Sequence, residues 1–286
     1  MATFEGHGIS LGYDDTGAGP AITFLHGLSM SRATWGRFLP DLEARFRVLR
    51  LDQRGHGESS HAGDYTLDSY IADAVAFLEG VVGEPSMLVG HSLGGVVAHG
   101  VAQSRPDLVR SVLLEDPPLY VAERLASGLD RDEASPIATF FPLMQQLCRD
   151  MQARGAAVDE YEAMLAAVPS LTGAGTMADA VGPEAVRAMG EAFSQLDPEV
   201  FTPAIDGSAI SGKPDLSASL ACPAVVLRAD PKLGPAFSAE DEARFLQTNQ
   251  NARVVEFEGA SHAIHDEQPA RFLEELLALT ASVSTP

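Results

Sequence analysis

The run from Ser86 to Ala102 constrains this chain more than any other: apolar Met87-Leu-Val89, then Gly90-His-Ser92-Leu-Gly94-Gly95, then Val96-Val-Ala-His-Gly-Val-Ala102. A short apolar stretch broken by glycine and followed by a helix-like pattern predicts a buried strand, a tight turn and a helix. A strand that feeds a helix directly is the building unit of a parallel α/β sheet. The turn also has chemical meaning. Between two glycines, Ser92 is held in a strained backbone conformation with its hydroxyl clear of the sheet, and the glycines remove side chains that would collide with neighbouring backbone. The plainer reading is a serine that caps the next helix. The partners a nucleophile needs decide between the two.

Those partners follow in chain order. Ala21-Ile-Thr-Phe-Leu25 reads as a buried strand that runs into His26-Gly27-Leu28-Ser29-Met30, a loop whose glycine permits close backbone approach to a substrate. The N–H groups of Leu28 and Leu93 are the candidate oxyanion donors for acyl transfer. Near the end, the strand Ala252 to Phe257 precedes Glu258-Gly259-Ala-Ser-His262, which sets a candidate base at a strand's carboxyl end. His265 either lines the site or caps the following segment. His91 is expected to support the turn, and His26, His56 and Trp35 to have structural roles around the oxyanion loop.

His26-Gly27, Asp52-Gln-Arg-Gly55-His-Gly57-Glu-Ser59, Gly90-His-Ser92-Leu-Gly94-Gly95 and Gly259-Ala-Ser-His262 together resemble the successive signatures of the alpha/beta-hydrolase family, in that family's order. The resemblance spans nearly the whole chain. It implies an α/β fold: an eight-stranded, mostly parallel sheet flanked by helices, with a helical cap inserted after the sixth strand. The implied triad runs serine, acid, histidine. Relatives that act on haloalkanes and epoxides carry an aspartate where this chain has Ser92. The serine therefore implies hydrolysis of a small carboxylic ester or lactone through an acyl-enzyme, with no cofactor. Carbon–carbon bond hydrolysis and cofactor-free perhydrolysis use the same residues, and the fold also hosts ligand receptors and scaffolds with little turnover. For the acid two positions are open. Asp116 ends the strand after the nucleophile helix and is preferred. Asp230 is the alternative, near the commoner family position, although Ala229 stands where a glycine is usual and places Asp230 early.

Composition narrows the partners. In 286 residues, 45% are hydrophobic and 21% charged, which predicts one soluble core carrying an insertion. Nineteen basic against 40 acidic residues give a net charge of −21, which repels nucleic acid and anionic membranes. The first residues lack the basic start and apolar core of a signal peptide, and no apolar run reaches bilayer length, so the expected location is cytoplasmic. The only two cysteines, Cys148 and Cys222, lie far apart and are read as buried apolar residues, not a disulfide. No His-x-x-x-His pair with a helical glutamate points to a metal, and Asp52-Gln-Arg-Gly-His-Gly lacks the lysine of a phosphate loop.

Strand and helix patterns alternate up to Glu115. An edge strand is expected at Gly8–Tyr13 before a glycine-rich turn, an amphipathic helix from Trp35 to Arg45, a strand over Phe46–Leu51 and a helix from Leu67 to Val82. From 119 to 216 alternation stops. Ile137, Phe140, Phe141, Met144, Leu147, Cys148 and Met151 recur at helical spacing, which predicts a helical cap between a core of 1–118 and 217–286. Phe140, Phe141 and Met144 are the pocket candidates of that cap. A strand over Pro223–Arg228 and a closing helix from Pro269 to Leu279 complete the expected fold.

Overall fold

A computed structural model describes residues 2–121, 136–169, 175–206, 208 and 214–283, with the side chains of 136–139 left aside. The remaining parts of the expected cap, and the Ile137 side chain, lie outside the described residues. The strands are β1 Ala2–Gly6, β2 Ile9–Gly17, β3 Ala21–Leu25, β4 Arg47–Leu51, β5 Ser86–His91, β6 Val109–Glu115, β7 Ala224–Ala229 and β8 Ala252–Phe257. They form one eight-stranded sheet in the order β1-β2-β4-β3-β5-β6-β7-β8. The pairs β1·β2 and β2·β4 are antiparallel, and every other neighbouring pair is parallel. This is the mostly parallel sheet of the alpha/beta-hydrolase fold.

Both faces of the inner strands are covered, which is why they read as unbroken apolar runs. Alternation sorts their side chains: Leu88, Val112, Leu114 and Val226 join one core, while Met87, Val89, Leu113, Val225 and Leu227 join the other. The first core packs under α2 Leu67–Phe77 and α3 Leu93–Ser104. The second is closed by Trp35, Phe38 and Leu42 together with Phe272 and Leu276 of the last helix.

Three local expectations need correction. The edge strand is β1, and β2 runs through the supposed turn, because Asp14 and Asp15 pair with Arg50 and Arg47 of β4 across the ladder. It ends at Gly17, at φ 71°, where a Cβ would lie 2.3 Å from the Phe46 carbonyl oxygen. The helix from Trp35 to Arg45 is instead a 3₁₀ segment, Arg32–Phe38, and one α turn, α1 Leu39–Leu42. Pro40 has no N–H to donate to Gly36, whose carbonyl accepts from Leu39 N–H. The helix from Leu67 also changes character, giving way to a π turn at Leu78–Val82 that Gly83 closes at φ 70°.

Between β6 and β7 the described chain is helical: α4 Pro136–Ala153, α5 Val158–Ala167, α6 Met177–Ser194, a 3₁₀ turn at Pro198–Phe201, and α7 Thr202–Asp206. This helical insert is fastened to the core at Asp197. Its N–H donates to the Gly55 carbonyl at 2.8 Å, and its carboxylate accepts from the Tyr65 hydroxyl and, at 3.0 Å, from Glu199 N–H. Cys148 and Cys222 are buried and free. After β7 come α8 Ala239–Thr248, α9 Ile264–Glu267 and α10 Pro269–Val283. The sequence reading missed α8, although Ser238 and Asp241 form the reciprocal cap that marks its start.

Candidate active site

Ser92 occupies the turn between β5 and α3 at φ 51° and ψ −116°, a conformation an L-residue adopts only under constraint. The constraint comes from the glycines on either side. A Cβ on Gly90 would lie 2.2 Å from the Gly94 carbonyl oxygen, and one on Gly94 would lie 2.2 Å from that of Leu25. Ser92 N–H donates to the Glu115 carbonyl at 2.9 Å, which ties the turn to the end of β6. The half-buried side chain has no hydrogen-bond partner among the described residues.

The loop after β3 lies beside this turn and is held by two neutral histidines. His26 Nδ1–H donates to the Gly27 carbonyl at 2.8 Å, while its Nε2 accepts from Gln53 N–H at 3.0 Å. His56 Nδ1–H donates to the Arg54 carbonyl at 2.8 Å, and its Nε2 accepts from Ser29 N–H at 3.2 Å. These partners fix both tautomers. Burial pulls the His26 pKa down to about 4, and burial plus the field of His26 pulls His56 down to about 3. The result is a rigid loop that carries Ser29 at φ 65°. Leu28 N–H has no partner among the described residues, and Leu93 N–H opens α3, where no helical carbonyl is available to it.

His262 follows β8 and is 26% exposed at its side chain. Its Nδ1–H donates to Asp116 Oδ2 at 2.7 Å. Asp116, fully buried at φ 39°, also accepts the N–H groups of Ala236 at 2.9 Å and Phe237 at 3.2 Å. Burial draws the His262 pKa down, but the hydrogen bond and charge of Asp116 and the charge of Glu115 outweigh it, so it lies above the ordinary histidine value. Asp230 does not meet His262. Its carboxylate accepts the N–H groups of Lys232 and Gly259, each at 2.8 Å, and these bonds hold its pKa below the usual range. Asp230 thereby shapes the His262 loop from behind.

Other partners of that loop were not legible beforehand. Ser261 donates through both its N–H and its hydroxyl to the Glu267 carboxylate. His91, buried under His262 with ring centroids 4.7 Å apart, donates Nε2–H to the His262 carbonyl at 3.0 Å. A Cβ on Gly27 would lie 2.5 Å from His91 Nδ1, so the loop after β3 can pass there only as glycine. His265 is sealed inside, with the Trp35 ring tilted against it at 4.5 Å between centroids. Met144 is buried in the insert's part of the core, and Phe140 and Phe141 pack partly exposed against it. A cavity of about 570 Å³ between α6 and Ser31–Ala33 is lined by Arg32, Arg50, Asp52, Arg187 and Glu191, and by neither Ser92 nor His262. Among the described residues no three His, Cys, Asp or Glu are grouped to hold a metal, and no helix is long and apolar enough to cross a membrane.

Comparison with known proteins agrees with this architecture. The model of the Alpha/beta hydrolase family matches residues 24–275. A pimeloyl-[acyl-carrier protein] methyl ester esterase of Chromobacterium violaceum is 30% identical over 285 residues, covering 96% of this chain and 100% of that protein. The bifunctional epoxide hydrolase 2 of Sus scrofa is 32% identical over 134 residues, covering 46% of this chain and 24% of that one. The chain spans less than half the length of the first curated relatives it matches. Est816, a solved structure described as an N-acyl homoserine lactone degrading enzyme, superposes with a TM-score of 0.69 at 21% identity over 97% of this chain and 99% of that one, a likeness of fold.

Proposed function

The chain belongs to the alpha/beta hydrolase family, and from that premise we propose that it cleaves a small carboxylic ester or lactone through an acyl-enzyme on Ser92. His262 Nε2 takes the hydroxyl proton as Ser92 Oγ attacks the carbonyl carbon. Charge moves onto the carbonyl oxygen, where the N–H groups of Leu28 and Leu93 receive it. The carbon–oxygen bond of the leaving group then breaks, and His262 returns the proton to the departing alkoxide. Water, deprotonated by the same histidine, releases the acid and restores the serine. Asp116 fixes the ring with Nδ1 protonated, leaving Nε2 as the basic nitrogen, and stabilises the imidazolium. The nucleophile–base hydrogen bond tightens when substrate arrives.

The observation that carries this reading is the 2.7 Å bond from His262 to a fully buried Asp116, next to a serine at φ 51°. A methyl ester esterase matched along its whole length supports ester chemistry. Serine at the nucleophile position favours acyl over alkyl transfer, despite the epoxide hydrolase match. On this reading the insert, to which Phe140, Phe141 and Met144 belong, would supply the acyl pocket, so short to medium acyl chains are preferred over lipid emulsions. A fluorophosphonate probe should label the wild-type protein and not Ser92→Ala, and a panel of p-nitrophenyl esters and lactones should show turnover. Labelling without turnover of any ester or lactone would favour a ligand receptor instead.

A further inference from the structure

Behind His262 lies a second acid–imidazole pair. Glu115, the last residue of β6, holds His265 Nδ1 between its two oxygens at 2.8 and 2.9 Å, and its Oε1 also accepts the His265 N–H at 2.8 Å. The other ring nitrogen, Nε2, lies 2.8 Å from Thr34 Oγ1. Both side chains are fully buried. The arrangement repeats Asp116–His262 one residue earlier on the strand and three later in the loop, in a place substrate cannot reach.

The charges around the two rings give this duplication a purpose. His262 faces Asp116, Glu115, His265 and the neutral ring of His91. His265 faces Glu115, Asp266 at 3.6 Å from Nε2, the Arg37 guanidinium on its own carbonyl at 3.3 Å, and the His91 ring at 5.1 Å. A base confronted by two carboxylates holds its proton too firmly to accept another near neutral pH. Burial lowers the pKa of His265, but the charge and hydrogen bond of Glu115 and the charge of Asp266 outweigh it, so His265 takes a proton more readily than a free imidazole does. Protonated, His265 opposes the effect of Glu115 at the His262 ring.

We propose that Glu115 and His265 form a charge-compensated strut, which fixes the His262 loop to the end of β6 and screens the base from the second carboxylate. This deepens the hydrolytic reading, which takes His262 as the base. Glu115 and His265 are positioning residues in it. The two charges have opposite consequences when removed. His265→Gln keeps a hydrogen-bonding side chain but exposes His262 to the Glu115 charge, so His262 should titrate at higher pH. Glu115→Gln should produce no upward shift. The double substitution removes both charges and should bring the titration back toward wild type, whereas a merely structural role would leave the double variant at least as displaced as His265→Gln.

The test is a ¹⁵N NMR titration of the His262 imidazole in the full chain, assigned by its loss in His262→Gln, together with the pH profile of kcat/KM on p-nitrophenyl acetate. The expected pattern is an upward shift in His265→Gln that reverts in the double variant, and the acid limb of kcat/KM should follow it. Thr34→Val, which removes the acceptor of the second ring proton and weakens the cation, should shift His262 upward by less, and carries the test if His265→Gln does not fold. No upward shift in either variant, or a double variant displaced further than His265→Gln, would overturn the strut. Wild-type protein that shows the titration pattern but turns over no ester would count against the hydrolytic reading and leave the strut standing.

Discussion

Two pairs of histidines flank the Ser92 turn, and desolvation has opposite outcomes in them. On the β3 side, the ring nitrogens of His26 and His56 bond only to backbone, and their pKa values are pulled down to about 4 and about 3. On the β8 side, His262 and His265 each meet a carboxylate, which overcomes burial and raises both. An imidazole walled in by amides and carbonyls is a fixed donor–acceptor bracket, suited to holding a loop. An imidazole backed by a carboxylate can take a proton and keep it until it is needed. Position near a nucleophile does not distinguish these roles, whereas the atom opposite Nδ1 does.

The largest test of that contrast is to neutralise the carboxylate. Asp116→Asn should reduce kcat about ten-thousand-fold by spoiling the His262 tautomer. Asp230→Asn, which disturbs only the backbone bracket behind the loop, should reduce it by roughly tenfold at most. The reverse ranking in steady-state kinetics would reassign the acid. A smaller effect is expected on the other side. His56→Leu releases Ser29 N–H and loosens the loop that bears Leu28, so kcat should fall about a hundredfold, as when one oxyanion donor is lost. Its acid limb should stay where the wild type has it. A displaced limb would mean that the two histidine pairs are not separate in function.

The smallest effect is on stability. The folded-state pKa values of His26 and His56 lie below the unfolded value of 6.5, so the unfolded chain binds more protons between pH 6.5 and about 4. Stability must therefore fall as pH falls through that window, by on the order of 2 kcal/mol per histidine at pH 5. His262 and His265 act with the opposite sign: their contribution is present below 6.5 and is lost as pH rises through their raised values. Urea denaturation at pH 7 and pH 5 should show a weaker pH dependence in His56→Leu. An unchanged slope would show that His56 is not held neutral.

What the sequence disclosed follows from how local each signal is. The elbow at Gly90–Gly95 and the apolar strands leave a direct trace, because their side chains are dictated by neighbours a few residues away. The second half of β2 hid behind Asp14 and Asp15, whose ion-pair partners Arg50 and Arg47 are remote in sequence. The same remoteness kept the acid open: Asp116 and Asp230 both end strands, and only the fold shows that one carboxylate meets the His262 ring while the other takes Gly259 N–H. Glu115 was visible as a neighbour of Asp116, but its partner lies 150 positions away.

The Asp197 junction has a consequence for anyone who would re-engineer this protein. Its N–H, its carboxylate and the Tyr65 hydroxyl join the insert to the Gly55 loop, one residue from His56 and so from the bracket around Ser29. A graft that replaces the helices with those of another hydrolase therefore has its downstream splice point dictated. Cutting upstream of Leu196 retains the anchor and lets new specificity be tried on an intact chassis. Cutting downstream of Phe201 removes the anchor together with the old helices, and a dead chimera would then say nothing about the transplanted ones.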